Sequence, residues 1–360
     1  MPRVRTGIVG CGKVGELHAH AMIGLEEAEF VGVCDIAMER TAQFADRFDV
    51  TAFDSVDAMI RSGGVEAVMV CTPHPLHELP TIEAARAGAH VLVEKPLAST
   101  LKACDAMLSA AEASGIKLGV VSQRRFFEPV QRAKAAIDDG KIGKPILATF
   151  VMYSWRDAAY YQSDPWRGKW DTEGGGVLVN QAPHQLDLLL WMMGEIEEVS
   201  GYWANLNHPT IEVEDTAVCN IRFRSGAIGN IVASVSQNPG IYTKVHVHGS
   251  NGASVGIQTD TGASFIAGMS EIADPPLNDV WTVPGEESLL EQFQQQDRDA
   301  FSGRDATLYY HQIQIREFLQ SILNDQQPPV TGRDGRNVVE LFTAIYRSDA
   351  ERRTIEFPLV

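Results

Sequence analysis

Three glycines, Gly10, Gly12 and Gly15, stand in the spacing G-x-G-x-x-G between an apolar β-branched run and a helix-forming one. Such a loop suits a pyrophosphate. The first glycine permits the tight turn, the second lets backbone approach the anion, and the third lets the helix pack on the sheet. Lys13 and Val14 complete the loop, and the helix that follows presents its N-terminal N–H groups to a phosphate. Asp35 closes the next apolar run, Val31-Gly32-Val33-Cys34-Asp35, 20 residues after Gly15. A carboxylate there accepts both ribose hydroxyls of a dinucleotide and repels a 2′-phosphate. Ile36 and Ala37 come next, and Arg40 only a helical turn later. The expected cofactor is therefore NAD, with NADP disfavoured.

Two further groups carry reactive side chains. Lys95 stands in Glu94-Lys95-Pro96, after the run His90–Val93, where a strand would deliver it to the carboxyl edge of a sheet. An ammonium there can stabilise a developing alkoxide, and a neighbouring cation would lower its pKa. A lone lysine is by default a solvated surface charge, but the strand-end setting favours chemistry. Asn180 and His184 are four residues apart on a helix expected over Val177–Met193, so they share a face, which Asp187 can join. Taking a hydride from a carbinol requires the hydroxyl proton to leave as well. His184 can receive that proton while Asn180, which cannot ionise, holds the hydroxyl by hydrogen bonding. A helical histidine is more often packed or capping; the preceding glycine run and the polar neighbours favour a site. Pro183 inside that span must kink the helix or mark its start.

The histidine pairs His74/His77, His18/His20 and His246/His248 lack a third and fourth ligand at recognised spacing, so no metal is expected. Five cysteines are an odd number with no C-x-x-C pair, and Cys11, Cys34 and Cys71, at or beside apolar strands, read as buried free thiols. With 30 basic and 47 acidic residues the chain carries a formal charge of −17, which disfavours nucleic acid and anionic membranes as partners. The N-terminus lacks a signal-peptide pattern, and no apolar run reaches the roughly 18 residues of a membrane span. A cytoplasmic protein is expected.

These residues need particular elements to position them. Strands over Val4–Val9, Phe30–Cys34, Ala67–Val70, His90–Val93 and Lys117–Val121 alternate with helices over Val14–Leu25, Ala37–Phe48, Leu79–Ala87 and Leu101–Ser114. This predicts an α/β Rossmann domain, a doubly wound parallel sheet, over residues 1–123. Residues 124–360 predict an α+β domain. It has a helix over Val130–Asp138, a long strand over Ile146–Trp155 and the helix over Val177–Met193. Strands over Val199–Asn205, Thr216–Arg224, Ala227–Ser236 and Lys244–His248 follow, joined by tight turns into a large, mostly antiparallel sheet. Helices over Tyr309–Asn324 and Asn337–Arg347 finish the chain and are free to pack back on the first domain.

Three segments, together with the glycine loop, give a resemblance. They are Cys71-Thr72-Pro73-His74-Pro75-Leu76-His77, Glu94-Lys95-Pro96, and the run from Gly174-Gly175-Gly176 through Asn180 and His184 to Asp187. The chain resembles the glucose–fructose oxidoreductase / inositol dehydrogenase / MocA family along essentially its whole length. The resemblance implies a Rossmann domain, an open-faced sheet that carries substrate and mediates oligomerisation, and nicotinamide-dependent oxidation or reduction of a sugar-like carbinol. It places Thr72, Pro73, His74, His77, Glu94, Lys95, Gln123 and the pair Trp166-Arg167 around the cofactor. Arg124, Tyr153, Lys95, Asn180 and His184 are placed at the substrate. His74 stands where the family commonly has asparagine, and Asn180 where it often has aspartate, which moves the proton chemistry onto Lys95 and His184.

The aromatic segment Tyr153–Trp170 suits a sugar ring, although core packing explains part of it. The favoured reading is an NAD-dependent dehydrogenase that oxidises a ring secondary alcohol of a sugar, glycoside, anhydrosugar or cyclitol. A ketosugar reductase, a redox-neutral NAD-using glycoside-processing enzyme and a non-catalytic NAD-binding sensor are the alternatives. An open antiparallel sheet with an apolar outer face needs cover, which predicts a homodimer or homotetramer.

Overall fold

Short apolar runs set between glycine and polar turns build the first sheet. The computed structural model describes residues 2–260, 265–266, 269–270 and 274–359. The elements β1 (Val4–Val9), α1 (Lys13–Met22), β2 (Ala28–Cys34), α2 (Met38–Phe48), β3 (Thr51–Phe53) and α3 (Val56–Arg61) follow in chain order. Next come β4 (Ala67–Val70), α4 (Glu78–Ala87), β5 (His90–Val93), α5 (Leu101–Ser114) and β6 (Leu118–Val120). The strands pair in parallel in the order β3-β2-β1-β4-β5-β6. Every residue of β4 is buried, as a strand covered on both faces requires. β3 and α3 lie outside the expected elements. The strand has three residues with little apolar signal, and the six-residue helix depends on its cap, the hydroxyl of Ser55 accepting the Ala58 N–H.

The second unit opens with α6 (Glu128–Asp138), β7 (Pro145–Tyr153), α7 (Ala158–Gln162) and α8 (Trp170–Glu173). A π-helical turn over Val177–Gln181 leads into α9 (Pro183–Met193). After it come β8 (Ile196–Ala204), β9 (Thr216–Phe223), β10 (Ile228–Ser234), β11 (Tyr242–Gly249) and β12 (Ser254–Asp260). The pair β13 (Phe265–Ile266) and β14 (Met269–Ser270), then β15 (Leu277–Trp281) and α10 (Leu290–Phe301), complete its first stretch. With β16 (Ile355–Glu356) near the end of the chain, the large sheet runs β15-β12-β11-β7-β10-β9-β8-β16. Among the described residues, only β7 and β10 pair in parallel within it. Its strands alternate buried and open positions, so one face is covered and the other is not. α9 is buried from Pro183 to Leu189, on the covered side. Exposed apolar residues stand on the other face, where register sets Leu147 beside Ile228 and Tyr202 beside Val218.

The two compact units are residues 1–123 with 307–339, and residues 124–306 with 340–360. Helix α11 (Ala306–Leu323) thus falls mainly in the first unit, whereas the division inside α12 (Gly332–Glu351) splits that helix. The reason is apolar. Ile315, Phe318 and Leu319 of α11 enter the core that holds Val4, Ile8, Met69 and Leu92. Gln314 also closes the outer edge of β6, donating to Val120 O at 2.8 Å and accepting Ser122 N–H at 2.9 Å. Phe318→Ala should therefore lower the stability of the first unit by about 3–5 kcal/mol in a denaturant titration. A loss below about 1 kcal/mol would detach α11 from that core.

Candidate active site

The glycine loop is shaped by contact. Gly10 has φ 102°, and a Cβ there would lie 2.8 Å from Cys71 C and Thr72 N. A Cβ at Gly15 would fall 2.1 Å from Gly10 O, so α1 sits against the turn only because no side chain intervenes. Around a Cβ of Gly12 nothing lies within 4 Å, and Gly12 caps α1 without any capping side chain. That open flank at a helix N-terminus fits a pyrophosphate. Lys13 is exposed and Val14 half-buried beside it. Asp35 is almost buried, its Oδ2 accepting Cys11 N–H at 2.8 Å and its Oδ1 accepting Ala37 N–H at 2.9 Å. The carboxylate thus ties the end of β2 to the glycine loop. Arg40 Nη1 lies 3.5 Å from Asp35 Oδ2, close enough to matter for any 2′-phosphate. Burial pushes the thiol pKa of Cys11 up to about 12 and that of Cys34 to about 11, so both stay neutral. All five cysteines are free and buried.

A second constellation surrounds Lys95, half-buried at the end of β5. Glu94 Oε2 accepts the Lys95 backbone N–H at 3.1 Å, and Glu94 Oε1 accepts from His18 Nε2 at 2.8 Å. His311 Nδ1 donates to Thr307 O at 2.7 Å, which leaves its Nε2 lone pair 3.8 Å from Glu94 Oε1. Burial alone raises the pKa of Glu94, but the hydrogen bond and charge of His18 with the charges of His311 and Lys95 bring it to about 2. Burial lowers the pKa of His311 to about 4, so that ring is neutral at pH 7.

The ligand atoms of His18, Glu94 and His311 lie within 4.8 Å of one another, a possible metal set that no sequence spacing signals. Two ligands of a tetrahedral zinc are separated by about 3.3 Å. The 2.8 Å between His18 Nε2 and Glu94 Oε1 is instead the distance of a shared proton.

His77, expected at the cofactor, is fully buried behind the surface. Its Nε2 lies 2.9 Å from Thr72 O and its Nδ1 3.0 Å from Pro96 O, so the ring ties the loop after β4 to the turn after β5. Burial lowers its pKa against the pull of those carbonyls and of Glu94. In the same loop Thr72 is half-buried, Pro73 exposed and His74 buried, and Gln123 is buried at the start of a 3-10 turn.

In the second unit the helix expected over Val177–Met193 is broken in two. Ala182 N–H donates to Val177 O in a π turn, and Pro183 occupies the first turn of α9, so it marks a true start. Asn180 lies in the π turn and His184 in the α-helix, and the four-residue spacing no longer implies a common face. Asn180 Nδ2 donates to Glu173. Glu214, fully buried, accepts Gly176 N–H at 2.8 Å, Leu178 N–H at 3.0 Å and the Tyr346 hydroxyl at 2.8 Å, seating the start of the turn. Burial raises its pKa to about 7 against those three donors.

His184 is buried at the head of α9. Asp187, three residues on in α9, is held by Arg125 in a two-pronged ion pair at 2.7 and 2.5 Å, both groups being buried. Arg124, expected at the substrate, is buried with Nη1 3.2 Å from Thr259 Oγ1. Tyr153 packs on Tyr242 at 5.5 Å, and strand alternation puts it on the open face of the sheet, opposite Met152 and the side α9 covers. Arg167 stacks on Trp166 at 4.5 Å and on Tyr160 at 4.4 Å. Tyr160 also accepts from Gln181 Nε2 at 2.9 Å, while Tyr160, Tyr161 and Trp170 pack with Ile211 and Val213. His311, Glu173 and Glu214 escaped the sequence reading, and His18 entered it only as half of the histidine pair His18/His20. Only Glu173, directly before the glycine run, had a local signal.

A parallel sheet with such a loop and carboxylate at its carboxyl edge defines a dinucleotide-binding enzyme. Residues 4–122 match the NAD-binding Rossmann fold of an oxidoreductase family, and residues 130–255 match the C-terminal domain of the same family. This chain belongs to the glucose–fructose oxidoreductase / inositol dehydrogenase / MocA family. It is 26% identical over 358 residues to myo-inositol 2-dehydrogenase of Thermotoga maritima, covering 98% of each chain. To scyllo-inositol 2-dehydrogenase (NAD(+)) of Bacillus subtilis it is 30% identical over 257 residues, 70% of this chain and 73% of the other. The WlbA dehydrogenase of Bordetella pertussis, solved in complex with NADH and UDP-GlcNAcA, matches with TM-score 0.85 and 29% identity, covering 100% of this chain and 99% of that one.

Two outcomes follow from this geometry. Asp35→Ser should weaken NAD binding about 10- to 100-fold, the worth of charged hydrogen bonds, and narrow the preference over NADP as Arg40 loses its partner. Fluorescence titration with both nucleotides reads this, and an unchanged NAD affinity would remove Asp35 from the ribose site. Glu94 contributes stability that is complete above pH 4.5 and lost as pH falls through about 2. Glu94→Gln should abolish that contribution, on the order of 3 kcal/mol, and flatten thermal stability between those limits. Superimposable curves would show that the carboxylate is not held as described.

Proposed function

We propose that this protein oxidises one ring secondary hydroxyl of a sugar, glycoside, anhydrosugar or cyclitol to a ketone, with NAD as the oxidant. The observation that carries this reading is Lys95, half-buried at the end of β5 and fixed through its backbone by buried Glu94, in the unit whose glycine loop and Asp35 fit NAD. The inositol dehydrogenases among its relatives support the substrate class. Bound NAD supplies the acceptor for the hydride that leaves the carbinol carbon.

The chain's own residues do the rest. The Lys95 ammonium donates to the reacting oxygen and stabilises the charge that develops there. His184 takes up the hydroxyl proton, and Asn180 holds the hydroxyl by hydrogen bonding. Gly10, Gly12, Lys13, Val14, Gly15, Asp35, Thr72, Pro73, His74, Gln123, Trp166 and Arg167 hold the nucleotide, with His77 and Glu94 bracing it from beneath. Arg124 contributes to the substrate side. Five buried free thiols support a cytoplasmic setting. The exposed apolar pairs Leu147 with Ile228 and Tyr202 with Val218 support a homodimer or homotetramer closed through the open sheet face.

NADH absorbance tests the reaction, using myo- and scyllo-inositol, glucose, methyl glucosides, 1,6-anhydroglucose and a UDP-linked uronic acid like that of the Bordetella relative. One class should give NADH, and Lys95→Ala should cut kcat by about 10²- to 10⁴-fold without loss of NAD binding. Flat traces across the panel, with NAD bound, would end the dehydrogenase reading for these substrates. Light scattering should show a dimer or tetramer, and a monomer at all concentrations would dispose of the sheet-face assembly.

A further inference from the structure

Asn180 is held from behind by a carboxylate that has almost no access to water. Glu173, the last residue of α8, is 1% exposed. Its Oε1 receives the Asn180 side-chain N–H, and its Oε2 accepts Gly168 N–H at 2.5 Å. The segment between Glu173 and Asn180 has little freedom to move away. Gly175 has φ 155°, with a Cβ position only 2.3 Å from the Tyr346 hydroxyl oxygen, and a Cβ on Gly176 would collide with Glu214 O at 1.8 Å. An ionised carboxylate accepts hydrogen bonds and donates none. Asn180 presents its Nδ2 to Glu173 and Gly168 its backbone N–H, so the amide nitrogen of Asn180 faces Glu173 and its carbonyl oxygen is turned away from that carboxylate.

We propose that Glu173 is a positioning residue that orients the Asn180 amide and makes position 180 require a neutral amide in place of a carboxylate. The proposal rests on the reading of Asn180 as the group that holds the substrate hydroxyl. Hydrogen-bond counting makes the pair separable. Aspartate at 180 would set a half-buried carboxylate against the buried one of Glu173, which favours uptake of a proton by one of them. Glutamine at 173 offers one acceptor and one donor to two donors, leaving one of them without an acceptor. With both changes the count closes again: the new amide at position 173 donates its N–H to the new carboxylate at position 180, and its oxygen accepts the Gly168 N–H.

Ionisable groups around the pair include Tyr160 and Tyr161 of α7 and Tyr346 of α12, whose pKa values burial pushes up; the charge of Glu173 adds to the rise in all three, while Arg167 opposes it at Tyr160 and Arg156 at Tyr160 and Tyr161. Arg167 bonds to Tyr160, and Glu214, raised to about 7 by burial, bonds to Tyr346. Glu214 is the same in all four proteins compared below, so its own titration cancels in the differences.

The experiment compares the wild-type protein with E173Q, N180D and E173Q/N180D by melting temperature at pH 5 and pH 8, NAD affinity, and kcat and KM on whichever panel substrate is turned over. Each single change should lower the melting temperature at pH 8 by at least about 4 °C. N180D should recover at pH 5, where one proton is shared, and the double variant should match the wild type at both pH values. E173Q and N180D should each lower kcat about tenfold or more with NAD affinity unchanged, and the double variant should regain most of that loss. Additive melting losses, or N180D indifferent to pH, would overturn the pairing. Coupled melting temperatures with an unaltered kcat in E173Q would overturn the positioning role. A wild-type protein that turns over no panel substrate would fail the dehydrogenase reading separately, with the melting cycle still deciding the pairing.

Discussion

Carboxylates cut off from water have to be satisfied by the chain itself, and the residues proposed to react lie where that has been done. An unpaired buried charge costs several kcal/mol, so each buried acid recruits fixed donors. Asp35 recruits the Cys11 N–H and so sets the glycine loop. Glu94 recruits His18 and the Lys95 N–H, Glu173 recruits Asn180 and Gly168, and Glu214 recruits two backbone N–H groups at the head of the π turn. Asp187 recruits Arg125 and anchors α9. Each constellation is held by charged hydrogen bonds made away from bulk water.

The two units meet this constraint differently. In the first, backbone donors come from the turns at the carboxyl edge of a parallel sheet and one side-chain donor, His18, from α1. In the second, the sheet supplies a wall but not the polar groups. Those come from the short segment between α8 and α9, where a π turn replaces regular helix. Such turns widen the backbone locally and are common at functional sites. Glycines at 175 and 176 are needed because Tyr346 and Glu214 occupy the space their side chains would take.

What could be read from the sequence was whatever depends on neighbours along the chain. The glycine loop, Asp35 and the parallel strands have periodicity and spacing as signals, and Pro183 signalled either a kink or a helix start. The apolar run from Val177 looks the same for a π turn as for an α-helix, so the break before α9 was not visible in detail. Tyr153 carried no sign of which sheet face it would take, because one residue of register reverses every side chain. β12, β15 and α10 escaped notice among weaker apolar patterns, as did the short β3–α3 pair. His18 with Glu94 and His311, and Glu173 with Asn180, are meetings created by folding, and no spacing rule covers them.

The division inside α12 has a consequence for synthesis of the chain. The first unit takes residues 1–123 and then 307–339, with most of the second unit encoded between them. Its core cannot receive Phe318 and Leu319, nor the edge of β6 its closing glutamine, until translation has passed through nearly all of the second unit. The nucleotide-binding half, though begun first, is thus among the last parts to be completed on the ribosome. Neither half can be cut out, duplicated or exchanged as one continuous stretch of sequence.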